Sequence, residues 1–149
     1  MRALGLDVGS KTIGVAISDA SGSIASALTT LRRAGQQPDA RAICEVVDTH
    51  EVEVIVVGLP LELDGTEGHR SRRVRVFVSA LEAAQERDVR LVFWDERFST
   101  AAAERTLLEA DLSRKKRKRH IDAVAAQFIL QGWLDHERNG GGERRSSAP

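Results

Sequence analysis

The stretch "LGLDVGSKTIGVAISD", Leu4–Asp19, decides the fold. Its apolar positions predict two short strands, Arg2–Val8 and Ile13–Ser18, joined by the turn "DVGSKT". In that turn Gly9 is the residue suited to a left-handed conformation or to a close approach by another group. "DASGS" (Asp19–Ser23) is a second turn and Ile24–Leu31 a third strand, so the chain opens as an antiparallel meander. One residue resists this reading. Asp7 stands in an apolar run, although strand interiors disfavour Asp and an ionised carboxylate is costly to bury without a partner. Either Asp7 belongs to a turn, or something positively charged meets it.

Beyond the meander the pattern changes. "RRAGQQPD" is a loop, and Ala42, Ile43, Val46 and Val47 recur at helical spacing over about Asp39–His50. "VEVIVVGLP" is an unalternating apolar strand, the kind expected where both faces of a sheet are covered. The loop "LELDGTEGH" leads to a helix over about Gly68–Arg87, followed by the strand "VRLVFWD". Ser99 and Thr100 are suited to cap a short helix running to about Ala110. "DLSRKKRKRH" reads as a basic connector to a last helix, about His120–Arg138, with Ile121, Val124, Ala125, Phe128 and Ile129 inward. The order βββ-αβαβα predicts an α/β fold: a mixed five-stranded sheet flanked by helices. That order is similar to the ribonuclease H-like fold. Residues 1–138 are expected to form one domain, and 139–149, "NGGGERRSSAP", a disordered tail.

Composition narrows the class. A chain of 149 residues suffices for one sizeable core. The 22 basic and 22 acidic residues cancel, so any argument for a polyanionic partner must be local. Cys44 is the sole cysteine, which excludes an intramolecular disulfide and disfavours a Cys-based zinc site. The longest apolar run, around "VIVVGLPL", is too short to span a membrane, and no signal segment is read at the N-terminus. A cytoplasmic protein without a membrane partner is the expectation.

Three carboxylates stand at the ends of elements: Asp7 on the first strand, Glu96 after the fifth in "WDERFST", and Asp122 at the start of the last helix in "HIDAVAA". In a sheet of this order these ends can share one edge. Converging carboxylates repel unless they hold hard cations, and an all-oxygen ligand set suits Mg²⁺ or Mn²⁺. Two such ions can clamp an in-line attack of water on a phosphodiester. Each residue also has a plainer reading. Asp-x-Gly turns are common, Asp122 at a helix start favours the macrodipole, and Glu96 can pair with Arg97. Asp95 competes with Glu96, since neighbours on a strand face opposite ways.

Two basic runs accompany them: "RKKRKR" (Arg114–Arg119), with Lys115, Lys116 and Lys118, and "HRSRRVR" (His69–Arg75), with Arg70 and Arg73. A charge run is commonly a solvated surface, yet beside a metal site it can neutralise phosphates. Aromatic residues make up only 4% of the chain, which argues against base stacking and for recognition of backbone and shape.

"LGLDVGSKTIGVAISD", "VVGLPLELDGTEG", "VFWDERFSTAAAE" and "HIDAVAAQFILQGWL" together resemble the YqgF family, also called RuvX, to about Glu137. The resemblance implies the ribonuclease H-like fold, kinship with the RuvC resolvases, and dependence on Mg²⁺ or Mn²⁺. It also implies a nuclease that trims the 5′ end of precursor 16S rRNA, acting as a monomer or homodimer on structured RNA, free or on the pre-ribosome. Motif by motif, the family's acidic catalytic and metal positions fall on Asp7, Glu96 and Asp122. Ser10, Lys11 and Arg97 then lie where a phosphate can approach. The likeness departs at Thr12, where the motif often has Arg, so one basic contact is missing. The "GLPLELDG" loop, Gly58–Gly65, matches the family without a role that chemistry supplies. A junction-cleaving DNase, or a protein that binds RNA or a transcription complex without cutting, are the competing readings.

Overall fold

The computed structural model describes residues 1–98 and 114–141. Its sheet holds β1 (Ala3–Val8), β2 (Thr12–Ser18), β3 (Ala25–Arg32), β4 (Val54–Leu59) and β5 (Arg90–Asp95), in the order β3-β2-β1-β4-β5. β1 is central. It pairs antiparallel with β2 and parallel with β4, and β4 pairs parallel with β5. The mixed five-stranded sheet predicted from the order of elements is the one observed.

Residue size sorts the two faces. Leu4, Leu6 and Val8 of β1, with Ile13 and Val15 of β2 and Ile55 and Val57 of β4, join Ile43, Val47, Val74, Phe77 and Leu81 in one core. Those partners belong to α1 (Gln36–His50) and α2 (His69–Ala84), which cover that face. Each such side chain, fully buried, contributes about 1.5–3 kcal/mol. The opposite face is built from the alternate positions, Ala3, Ala16, Val54 and Val56, and is covered by Ala126, Ile129, Leu130 and Trp133. These lie on α3 (Arg114–His136). Gly5 lets α3 settle against the sheet, because a Cβ there would lie 2.7 Å from Leu130 Cβ and 2.9 Å from the Ala126 carbonyl. β4 is buried at all six positions, as an unalternating strand should be.

Several expectations need correction. The basic run Arg114–Arg119 is not a connector but the first turns of α3, which starts six residues before the predicted His120. Asp122 is therefore well inside the helix and not at its start. Of the residues expected inward, Ala125 and Ile129 are buried, while Ile121, Val124 and Phe128 are half-buried; Ala123, Ala126, Leu130, Trp133 and Leu134 complete the buried set. Small residues can press on the glycines of β1 and β2 where larger ones cannot. Gly9 does not take positive φ. Its role is close approach, since its N–H donates to the Thr12 carbonyl at 2.9 Å. Glu137–Gly141 continue α3 as a wide turn. The expected helix after Ser99 and the greater part of the expected tail lie outside the described residues. Among the described residues no helix is long and apolar enough to cross a membrane.

Candidate active site

Three observations place Asp7, Glu96 and Asp122 along one strip of the sheet. Asp7 lies directly opposite Gly14 in the β1–β2 register, so the two residues share a face. That face is the one under α3: a Cβ on Gly14 would overlap the Asp122 carbonyl. On the other side of β1, Leu6 pairs with Val57, and one step further sets Asp7 beside Gly58. A Cβ on Gly58 would lie 2.6 Å from Glu96 Oε1 and 2.6 Å from Ile129 Cδ1 of α3. Asp122 thus sits over β2, Asp7 rises from β1, and Glu96 reaches over β4. Neighbouring strands are about 4.8 Å apart. The two glycines form the floor on either side of Asp7, at the C-terminal ends of β1 and β4.

The alternation of β5 separates the two adjacent acids. Asp95 ends β5, and Glu96 opens a 3₁₀ turn, Glu96–Phe98. Asp95 is occupied by Arg97, whose Nη2 donates to Asp95 Oδ2 at 2.7 Å and whose backbone N–H donates to Oδ1 at 2.9 Å. Burial pushes the Asp95 carboxyl up, but the Arg97 guanidinium and amide outweigh it and hold it below the usual range. Glu96 instead faces Arg70, whose Nη2 stands 4.0 Å from Glu96 Oε2.

Comparison with known proteins gives the family of the chain. The family described as RuvX, Holliday junction resolvase, matches residues 1–136. This chain belongs to the RuvX family. It is similar to a Myxococcus xanthus chain named "Putative pre-16S rRNA nuclease", 54% identical over 93% of this chain and 90% of the relative. A Shouchella clausii chain of the same name is 48% identical over 92% of this chain and 96% of its own length. Among solved structures, Thermus thermophilus RuvC in complex with Holliday junction substrate superposes with a TM-score of 0.62 at 18% identity, covering 94% and 96% of the two chains. The fowlpox virus Holliday junction resolvase gives 0.51 at 15% identity, covering 93% and 99%. These likenesses carry the fold, which is ribonuclease H-like.

Around the strip, the RuvX chain makes contacts that its sequence does not show. Thr12, at the start of β2, donates from Oγ1 to Asp122 Oδ2 at 2.5 Å. Arg33 donates from Nη1 to the Gly9 carbonyl at 2.8 Å and from Nε to Asp39 Oδ2 at 2.7 Å, while its guanidinium lies 5.3 Å from the Phe77 ring centroid. The turn after Asp7 is therefore tied to α1 and α2. Sequence offers one signal for this pair, since Asp39 is a buried acid in an otherwise exposed helix start.

The "GLPLELDG" loop acquires a structural account. It folds on itself, with Glu62 N–H donating to the Thr66 carbonyl at 2.8 Å and Gly65 N–H to the Glu62 carbonyl at 2.9 Å. Gly65, at φ 88°, lies 3.4 Å under Arg97, measured from where its Cβ would be. Arg97 Nη1 also donates to the Leu63 carbonyl at 3.4 Å. Loop, Arg97 and Asp95 form one brace beside Glu96.

The basic candidates divide into groups. Ser10 and Lys11 are exposed on the turn that follows Asp7. Arg70 and Arg73 are exposed on the first turns of α2, whose first turn holds no acidic residue. Arg97 is engaged with Asp95 and the loop. Lys115, Lys116 and Lys118 are in the first turns of α3, on a backbone that leads into Asp122. Among the described residues, no three His, Cys, Asp or Glu side chains already stand at coordinating distances. The three carboxylates nonetheless fit a hard divalent cation by donor chemistry, by their shared strip, and by the absence of side chains at Gly14 and Gly58.

Proposed function

We propose that this chain hydrolyses phosphodiester bonds in structured RNA and trims the 5′ end of precursor 16S rRNA; that pre-16S rRNA is the substrate is supported by relatives named "Putative pre-16S rRNA nuclease". The observation that carries the reading is that Asp7 lies between Gly14 of β2 and Gly58 of β4, with Asp122 over the first and Glu96 over the second. Asp7, Glu96 and Asp122 would hold Mg²⁺ or Mn²⁺, which when bound supplies activation of water and neutralisation of phosphate charge. The protein's own part is to set the geometry. The Gly9–Thr12 turn presents Ser10 and Lys11 to an approaching phosphate. Arg70 and the N-terminus of α2 favour the negative charge of the backbone from the Glu96 side. The charges of Lys115, Lys116 and Lys118, on the stretch of α3 that precedes Asp122, would make binding fall with rising salt.

Branched DNA is the second reading, favoured by the family's description as Holliday junction resolvase. Symmetric cutting of a four-way junction needs two sites and hence a dimer. One experiment separates the readings. The protein is given 5′-labelled precursor 16S leader RNA and, in parallel, a four-way DNA junction, with Mg²⁺, Mn²⁺ or EDTA. Metal-dependent cutting of the RNA is expected, with Asp7→Asn lowering the rate more than about 100-fold, because loss of outer-shell partners alone costs 10–100-fold. Cutting of the junction alone transfers the assignment to DNA. An Asp7→Asn variant as active as wild type removes the site.

A further inference from the structure

We infer that Thr12 is a positioning residue that sets the divalent-cation affinity of Asp122; this rests on the reading of Asp122 as a metal-holding carboxylate. Two contacts from β2 fix that residue. The bare Cα of Gly14 seats its backbone, since any Cβ there would overlap the Asp122 carbonyl. Two positions earlier on the same face, the Thr12 hydroxyl donates to Asp122 Oδ2 at 2.5 Å. The helix is thus seated by one residue of β2 and its carboxylate oriented by another.

The chemistry of the donor matters. Asp122 is mid-helix on α3, where its side chain has no helix terminus to orient it. A threonine in a strand has restricted χ1, so its hydroxyl is held ready without further ordering cost. A hydroxyl is neutral. It occupies one oxygen of the carboxylate and leaves the full negative charge available to a cation. Thr12 is half-buried, so the bond is partly shielded from competition by water. Partners of this outer-shell kind orient metal ligands, and their loss costs about 10–100-fold in metal affinity or activity.

The test is Mn²⁺ binding to the substrate-free protein, read from the electron paramagnetic resonance signal of the free ion. Thr12→Val keeps the shape and the β-branch and removes the hydroxyl. It is expected to raise the half-saturating Mn²⁺ concentration about 10–100-fold. Thr12→Ser should return it to within a few-fold of wild type, a rescue that a purely structural role for the methyl group would not give. Thr12→Ala, a second hydroxyl-free variant, must show the same loss should Thr12→Val fail to fold. Asp122→Asn is the reference. If it loses Mn²⁺ while Thr12→Val and Thr12→Ala bind as wild type, the role of Thr12 is overturned and the metal site stands. If Asp122→Asn itself binds as tightly as wild type, the site reading falls, and Thr12 with it.

Discussion

Gly58 has no side chain, and Glu96 uses the room. A methyl group at Gly58 would meet Glu96 Oε1 and Ile129 Cδ1 at 2.6 Å each. Glu96 can yield by swinging its carboxylate away, and Ile129 by a rotamer change, so Gly58→Ala should cost about 1–3 kcal/mol of stability. Its cleavage rate should fall far more than the fold does. Comparing thermal melts with cleavage rates checks this; a variant with normal rate removes Gly58 as the floor for Glu96. Gly14 differs, since what stands over it is backbone of α3 and cannot swing. In the sequence, Gly58 reads only as the end of a strand. Its function depends on lateral registers with β1 and β5, which no local pattern carries. Asp7 was legible because it breaks an apolar run. Thr12 stood out only as a departure from a family motif; its bond to Asp122 was not legible, because it spans residues far apart in the chain.

At the scale of elements, helix α1 ends on Glu51 in the left-handed conformation, φ 53°, with Val52 N–H donating to the Val47 carbonyl at 3.0 Å. Glycine is the residue this position favours. Glu51→Gly should raise stability by about 0.5–1 kcal/mol, the relief of left-handed strain exceeding the added freedom of the unfolded chain. Chemical denaturation midpoints measure it, and a lowered midpoint contradicts the assignment. The strands were legible element by element, since period-two alternation and turn residues both mark them. Helix α3 was legible only from His120 on. Its first turns are Lys and Arg, good helix formers with no apolar period, so propensity and packing determine the start where periodicity is silent. The macrodipole explanation for Asp122 disappears with that earlier start.

Across the whole molecule, Arg33 and Asp39 join three layers. Their side chains are 12% and 4% exposed. Burial pushes the Asp39 carboxyl up, but the Arg33 guanidinium and the amides of Ala34 and Gly35 outweigh it and hold it below the usual carboxylate range. The unfolded chain therefore takes up the proton first as pH falls. The stabilisation is complete above the ordinary Asp value, about 3.9, and is lost as pH drops through the lower folded value. Stability should decline below about pH 4. Asp39→Asn should cost on the order of 3 kcal/mol at neutral pH, by leaving Arg33 buried without its partner, and should flatten that acid decline. Urea unfolding at several pH values shows whether the slope changes; an unchanged slope assigns the acid sensitivity elsewhere. The chain-wide order of elements, and with it the mixed sheet, was legible because strand, helix and loop signals are each local. The pairing of Arg33 with Gly9 was not, because it joins a loop after β3 to a turn before β2.

The order of the elements along the chain also sets an order in time. Asp7 is made first and Glu96 later, and Asp122 with the helix that carries it follows both. Until α3 emerges from the ribosome, the face holding Ala3, Gly5, Ala16 and Val56 has no cover and the strip lacks its third carboxylate. Folding that proceeds from the N-terminus can complete the sheet and the α1–α2 layer first. The nascent chain thus carries two of its three carboxylates while still on the ribosome, and α3, made after the sheet, both seals the core and brings the third.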